Sequence, residues 1–111
     1  YDGGYSKKGL QHGYGKEFFY GNVAYKGEFK LGMRHGHGKE YDVHGILVFE
    51  GEYKDNLREG LGEECFGRLR YKGKYERGQA VGYGEVYNKL DQRVFIGEYK
   101  EFLKKMKSRS V

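Results

Sequence analysis

The feature that most constrains this chain is a five-residue pattern, aromatic-x-Gly-x-aromatic, that returns five times at nearly constant spacing. The copies are Tyr1-Gly3-Tyr5, Tyr25-Gly27-Phe29, Phe49-Gly51-Tyr53, Tyr71-Gly73-Tyr75 and Phe95-Gly97-Tyr99, separated by 24, 24, 22 and 24 residues. A second signature, Gly-x-Gly, follows each of the first four: Gly13/Gly15, Gly36/Gly38, Gly60/Gly62 and Gly82/Gly84. Residues at i, i+2 and i+4 share one face of a strand, whereas a helix would scatter them around its axis, so the pattern predicts β-structure. Turn-forming stretches lie between the signatures, at Leu31-Gly32-Met33-Arg34, Asp55-Asn56-Leu57-Arg58 and Arg77-Gly78-Gln79-Ala80. Each unit therefore reads as strand, turn, strand, with a connection to the next unit.

Composition fits a repeat of this kind. Glycine supplies 20 of the 111 residues, against about 7% in average proteins. Glycine weakens a strand unless something approaches its backbone closely, and the flanking rings are the obvious candidates. A single hairpin is marginal in water, so the units must stack and bury a continuous aromatic ladder. Proline is absent, which excludes a collagen helix. Mean hydropathy is low at −0.93, yet Tyr and Phe together supply 19 residues (12 and 7), too many for a typical disordered chain. The longest apolar run, Ile46-Leu47-Val48-Phe49, is too short to cross a bilayer. The opening residue is Tyr1 rather than Met, and the expectation is a piece of a longer protein. Cys65 stands alone, so no internal disulfide or cysteine-based zinc cage can form, and a reducing, cytoplasmic compartment is expected.

Tyr25-x-Gly27-Glu28-Phe29-Lys30-x-Gly32-x-Arg34-His35-Gly36-x-Gly38 resembles the MORN (membrane occupation and recognition nexus) repeat. Phe49-Glu50-Gly51-Glu52-Tyr53-Lys54 to Gly60-Leu61-Gly62 is a second clear match. The resemblance covers Tyr1 to about Tyr99, as four full copies and the start of a fifth. The chain departs from the family pattern in three ways: Tyr or Phe replaces Trp at the second aromatic, the third copy is shortened after Gly62, and the fifth lacks Gly-x-Gly. The resemblance implies an all-β, elongated, twisted, single-layer array of antiparallel hairpins over residues 1–99, with units starting near 1, 25, 49, 71 and 95. It also implies use as a docking surface, with cytoskeletal and ciliary assemblies as the setting.

Residues 100–111 form a basic tail in which Phe102, Leu103 and Met106 mark a narrow helical stripe. It reads as a cap on the open end of the array, or as a basic element for acidic lipid carried by Lys104, Lys105, Lys107 and Arg109. A frayed end is the third reading.

Nothing in the sequence points to catalysis, a cofactor or a metal. Gly32-Met33-Arg34-His35-Gly36-His37-Gly38-Lys39-Glu40 is superficially like a phosphate-binding loop, but it is one residue too long, and Glu40 replaces the Mg²⁺-binding Ser or Thr. His35 and His37 share a strand face, yet neither Cys nor a carboxylate cluster completes a ligand set. Cys65 has no activating base near it in sequence and reads as a small apolar residue. Glu28, Glu52 and Glu98 recur at one position beside Lys30, Lys54 and Lys100, which reads as a solvated face of alternating charge paired across strands.

The leading functional expectation is a non-enzymatic scaffold that binds a protein through an aromatic concave face. Tyr25, Phe29, Tyr53, Tyr75 and Tyr99 are the expected contact residues, with Arg34 and Arg58 at the rim, and a helix or extended segment as the occupant. Two open sheet edges make a homodimer a second expectation. Membrane tethering through acidic phospholipid and service as an accessory module of a larger enzyme are the alternatives. The net charge of +5 (21 basic minus 16 acidic residues) is spread over interleaved signs, and nucleic acid is not the partner this pattern favours.

Overall fold

The alternation of ring, small residue and ring forces extended backbone, and the turns between extended segments are tight. A computed structural model describes residues 1–109, with side chains described through residue 107. Nine strands follow one another: β1 (Asp2–Tyr5), β2 (Gln11–Phe19), β3 (Asn22–Lys30), β4 (Met33–Tyr41), β5 (Leu47–Lys54), β6 (Leu57–Phe66), β7 (Leu69–Glu76), β8 (Gln79–Tyr87) and β9 (Arg93–Glu98). Among the described residues a single helix, α1 (Tyr99–Arg109), follows the strands. Every strand pairs antiparallel with the next in sequence order, giving one open nine-stranded sheet with principal extents of 49 × 28 × 23 Å.

The hairpin turns have a local cause. Leu31-Gly32, Asp55-Asn56 and Arg77-Gly78 all have both residues at positive φ, the conformation whose twist suits two-residue hairpins. Each turn also docks onto the unit before it. The amide N–H groups of Gly32, Asn56 and Gly78 donate to the carbonyls of Gln11, Arg34 and Arg58, at 2.8, 3.0 and 2.9 Å. Successive units are thereby tied at the turns as well as through the ladder.

The register explains the glycines. Gly3 pairs with Gly15, Gly15 with Gly27, Gly27 with Gly38, Gly38 with Gly51, Gly51 with Gly62, and Gly62 with Gly73. Gly84 pairs with Gly97 at the far end. One glycine per strand thus forms a row across the whole sheet, and the first ring of each unit lies over it. A Cβ at Gly38 would collide with the Tyr25 ring, and one at Gly73 would come within 2.8 Å of Tyr71 Cε1. The space that sequence spacing predicts for the rings is real.

Two buried clusters form the core, both on the ring face. Tyr25, Phe29, Phe49, Tyr53 and Tyr75 make the first, and Tyr71, Val86 and Phe102 make the second. Within the first, rings tile edge to face: Tyr25 with Phe29 and Tyr53 (both 5.1 Å between centroids), and Phe49 with Tyr75 (5.0 Å). Such pairs contribute about 0.5–1.5 kcal/mol each beyond the area they bury. In the second cluster the helix sends Phe102 onto the sheet, with Leu103 and Met106 packed alongside. The apolar stripe of the tail is a cap.

Candidate functional site

Among the expected contact residues, Tyr25, Phe29, Tyr53 and Tyr75 are 0, 3, 3 and 1% exposed. These four rings are core, and their assignment to a partner-binding surface is corrected. The cause is the tiling just described together with a cover of arginines. The Arg34 guanidinium lies 4.5 Å from the Tyr25 ring centroid, and that of Arg58 lies 4.1 Å from Phe49. Stacked in this way, a guanidinium shields the ring face from water while its N–H groups remain free to bind carboxylates.

Those carboxylates come from one recurring position, two residues after the second glycine of Gly-x-Gly. Arg34 binds Glu17 at 2.8 Å, and Arg58 binds Glu40 at 3.0 Å and Glu64 at 3.5 Å. The Tyr53 hydroxyl donates to Glu40 at 2.5 Å, and the hydroxyls of Tyr75 and Tyr99 donate to Glu64 at 2.8 and 2.9 Å. Burial opposes ionisation of Glu40, but the hydrogen bonds from Arg58 and Tyr53 outweigh it and hold the carboxyl below its usual range. Burial pushes the Tyr53 and Tyr75 hydroxyls well above their usual range, reinforced by the carboxylates they bind. Arg34 and Arg58 are accordingly clasps within the ring layer. Tyr99 is half-buried and joins the start of α1 to Glu64. Every group in this seam is engaged in a structural bond, so the seam holds the units together and presents no acid–base pair.

The other residues singled out in the sequence fall as follows. The Gly32–Glu40 stretch runs from a turn into strand β4, with no helix behind it to receive a phosphate. His37 sits 3.0 Å from Glu50 on that strand. Among the described residues, no group of three or more His, Cys, Asp or Glu is placed to hold a metal ion. Cys65 is half-buried, and burial raises its thiol. Glu28 and Glu52 do not alternate with Lys30 and Lys54 as cross-strand ion pairs. They accept the backbone N–H of His37 and Leu61, at 2.8 and 2.9 Å, just after Gly36 and Gly60, whose φ values are +73° and +98°. A bulge there leaves an amide pointing outward, and the glutamate is its acceptor. Glu98 does pair with Lys100, at 3.7 Å.

On α1, Lys104 is 3.6 Å from Glu101, Lys105 lies 5.8 Å from the Phe95 ring centroid, and Lys107 is exposed. The Arg109 side chain lies outside the described residues. The apolar stripe of α1 faces the sheet, where Phe102 and Met106 also line an open cavity with Leu69, Val86, Val94 and Phe95. No described helix is long and apolar enough to cross a membrane.

The face opposite the rings carries a group of accessible apolar side chains. Leu61 on β6, Tyr83 on β8 and Ile96 on β9 are 69, 74 and 58% exposed, and with Lys72, Lys74 and Glu85 they line one shallow groove floored by Gly73 and Gly84. The groove continues toward the N-terminus past Gly62 and Gly51 to Glu50, Glu52 and His37. Sequence reasoning missed this face because it looked for partner contacts among the rings.

The family model described as MORN repeat matches residues 1–21, 25–45, 49–67 and 71–87. No curated protein matches the chain.

Proposed function

The chain belongs to the MORN repeat family, and from that premise we propose that it is a non-enzymatic scaffold that docks a protein partner on the sheet face opposite its rings. The observation carrying this reading is the exposed Leu61, Tyr83 and Ile96 along one main-chain-floored groove, set against a ring layer that is closed over by its own arginines. Large apolar side chains grouped on one face of a sheet favour association. The groove crosses strands, so an extended segment or a helix lying across the array suits it. A cytoplasmic cytoskeletal or ciliary assembly is the setting proposed, on the strength of the family resemblance.

The test is site-specific photocrosslinking in cells that express the protein. A photoreactive residue at Tyr83 is expected to give a discrete protein adduct that disappears when Leu61→Ser and Ile96→Ser are combined. A reactive residue at Glu17, on the ring side, gives none. The reverse pattern, with adducts from Glu17 alone, would return the docking surface to the ring side.

A further inference from the structure

The docking face changes character along its length, and the change is set by register. Lys16 of β2 is the direct cross-strand partner of Lys26 of β3, and Lys26 is the direct partner of Lys39 of β4. Direct partners point to the same side, so three lysines stand shoulder to shoulder at one strand spacing, about 4.8 Å apart and about 10 Å from first to last. All three are half-buried. Like charges placed directly across a ladder are destabilising unless something neutralises them.

The carboxylates nearest by register do not. Asp2 stands opposite Lys16 and Glu50 opposite Lys39, and neither forms an ion pair with its lysine. Glu50 is taken by His37 at 3.0 Å, and Glu28, beside Lys26 on β3, is taken by the His37 amide. Among the described residues, Lys16, Lys26 and Lys39 form no ion pair. In the same row beyond Lys39 come Glu50, Glu63, Lys72 and Glu85, three acids and one base. There the acids are matched internally: Glu63 by Arg70 at 2.9 Å and Glu85 by Arg93 at 3.1 Å. One end of the face carries three adjacent lysines without an ion pair, and at the other the acids Glu63 and Glu85 are paired.

We propose that the Lys16, Lys26 and Lys39 rank is the seat for a short acidic peptide segment, which the three ammonium groups bind together. This rests on the opposite-face docking reading above and supplies the chemistry of one end of the partner. The length of the rank argues for a short segment. A long polyanion such as a nucleic acid strand would run on into Glu50 and Glu63. A flat anionic membrane would press against Glu50, Glu63 and Glu85 as well as the lysines. Two or three carboxylates in a peptide that then turns apolar or neutral fit both the rank and the exposed Tyr14 beside it.

The probe is a fluorescein-labelled peptide of alternating Glu and Gly, titrated against the chain by anisotropy. Combining Lys16→Gln, Lys26→Gln and Lys39→Gln is expected to weaken binding about tenfold or more, as for three semi-exposed ion pairs lost together. Raising the salt weakens binding to the unaltered chain, and exchanging Glu for Gln in the peptide abolishes it. The triple variant melts no lower than its parent, because it removes like-charge crowding. The pair Lys7→Gln and Lys89→Gln, both exposed and outside the row and the groove, changes affinity less than about twofold. Equal loss in both variants, or none in the triple variant, overturns the proposal. So does a phosphatidylserine vesicle or an oligothymidylate that binds the same lysines more tightly than the peptide. If the rank fails while the Tyr83 crosslink persists, the docking face stands and only its acidic specificity falls. Loss of the Tyr83 crosslink with peptide binding intact leaves the rank standing by itself.

Discussion

The interior of the array and its C-terminal end meet the same demand with different chemistry. Tyr25 and Phe49 are each roofed by a ring of the following unit (Tyr53 and Tyr75) and by an arginine of their own unit (Arg34 and Arg58). Tyr71 keeps the ring from the following unit, Tyr99 at 4.9 Å, but Ala80 stands where the arginine would be. Val86 likewise stands where Glu17, Glu40 and Glu64 recur. The polar clasp has become an apolar hole, and Phe102 of α1 fills it, stacked 5.9 Å from Tyr71 at an interplanar angle of 20°. The lesson is that a repeat ends by changing the two positions that clasp neighbouring units, while its glycines and rings stay the same. Ala80 and Val86 serve the helix as Arg34 and Glu40 serve their neighbours.

The sharpest way to break this comparison is at an interior glycine. Gly62→Ala is expected to cost about 3 kcal/mol or more, because the added methyl would collide with the Phe49 ring and come within 3.2 Å of Tyr75 Cδ1. Denaturant unfolding reads this directly, and a loss under about 0.5 kcal/mol would mean that the rings do not rest on the glycine row. Next in size is Phe102→Ala, which empties the hole above Tyr71 and is expected to cost about 3 kcal/mol. Its effect is regional: helical circular dichroism falls and amides of β7 and β8 exchange faster, while those of β3 to β5 keep their protection. Equal loss of protection across all strands would show that the two ends are one cooperative unit. The smallest effect separates two tyrosines in equivalent positions. The Tyr25 hydroxyl donates to the Glu28 carbonyl at 2.9 Å, whereas the buried Tyr71 hydroxyl has no partner among the described residues. Tyr25→Phe should therefore cost about 1 kcal/mol, and Tyr71→Phe should be neutral or slightly stabilising. Phe49 and Phe95 already occupy the same repeat position without a hydroxyl.

Much of the architecture was legible in the residues themselves. The i, i+2, i+4 spacing specifies strands, the Gly-x-Gly offset specifies hairpins, and Phe102, Leu103 and Met106 announce the helix. The burial of Tyr25, Phe29, Tyr53 and Tyr75 was not, because a single-layer sheet suggests a bare face, and spacing alone does not reveal that rings lie flat and lock edge to face. A signal was present in Arg34 with Glu17, Arg58 with Glu40, and their replacement by Ala80 and Val86, but it carries meaning only once neighbouring units are superposed. The same holds for Glu28 and Glu52, whose role depends on a bulge that one-dimensional alternation cannot show. Lys16, Lys26 and Lys39 lie 10 and 13 residues apart in the chain, and only strand pairing makes them adjacent.

The unbroken file of glycines, one to a strand, has a metric consequence. Every 22 to 24 residues the molecule lengthens by two ladder steps, about 9.6 Å, with little else altered. Duplicating or deleting a unit would therefore change the reach of the outer surface in fixed increments, like links of a surveyor's chain.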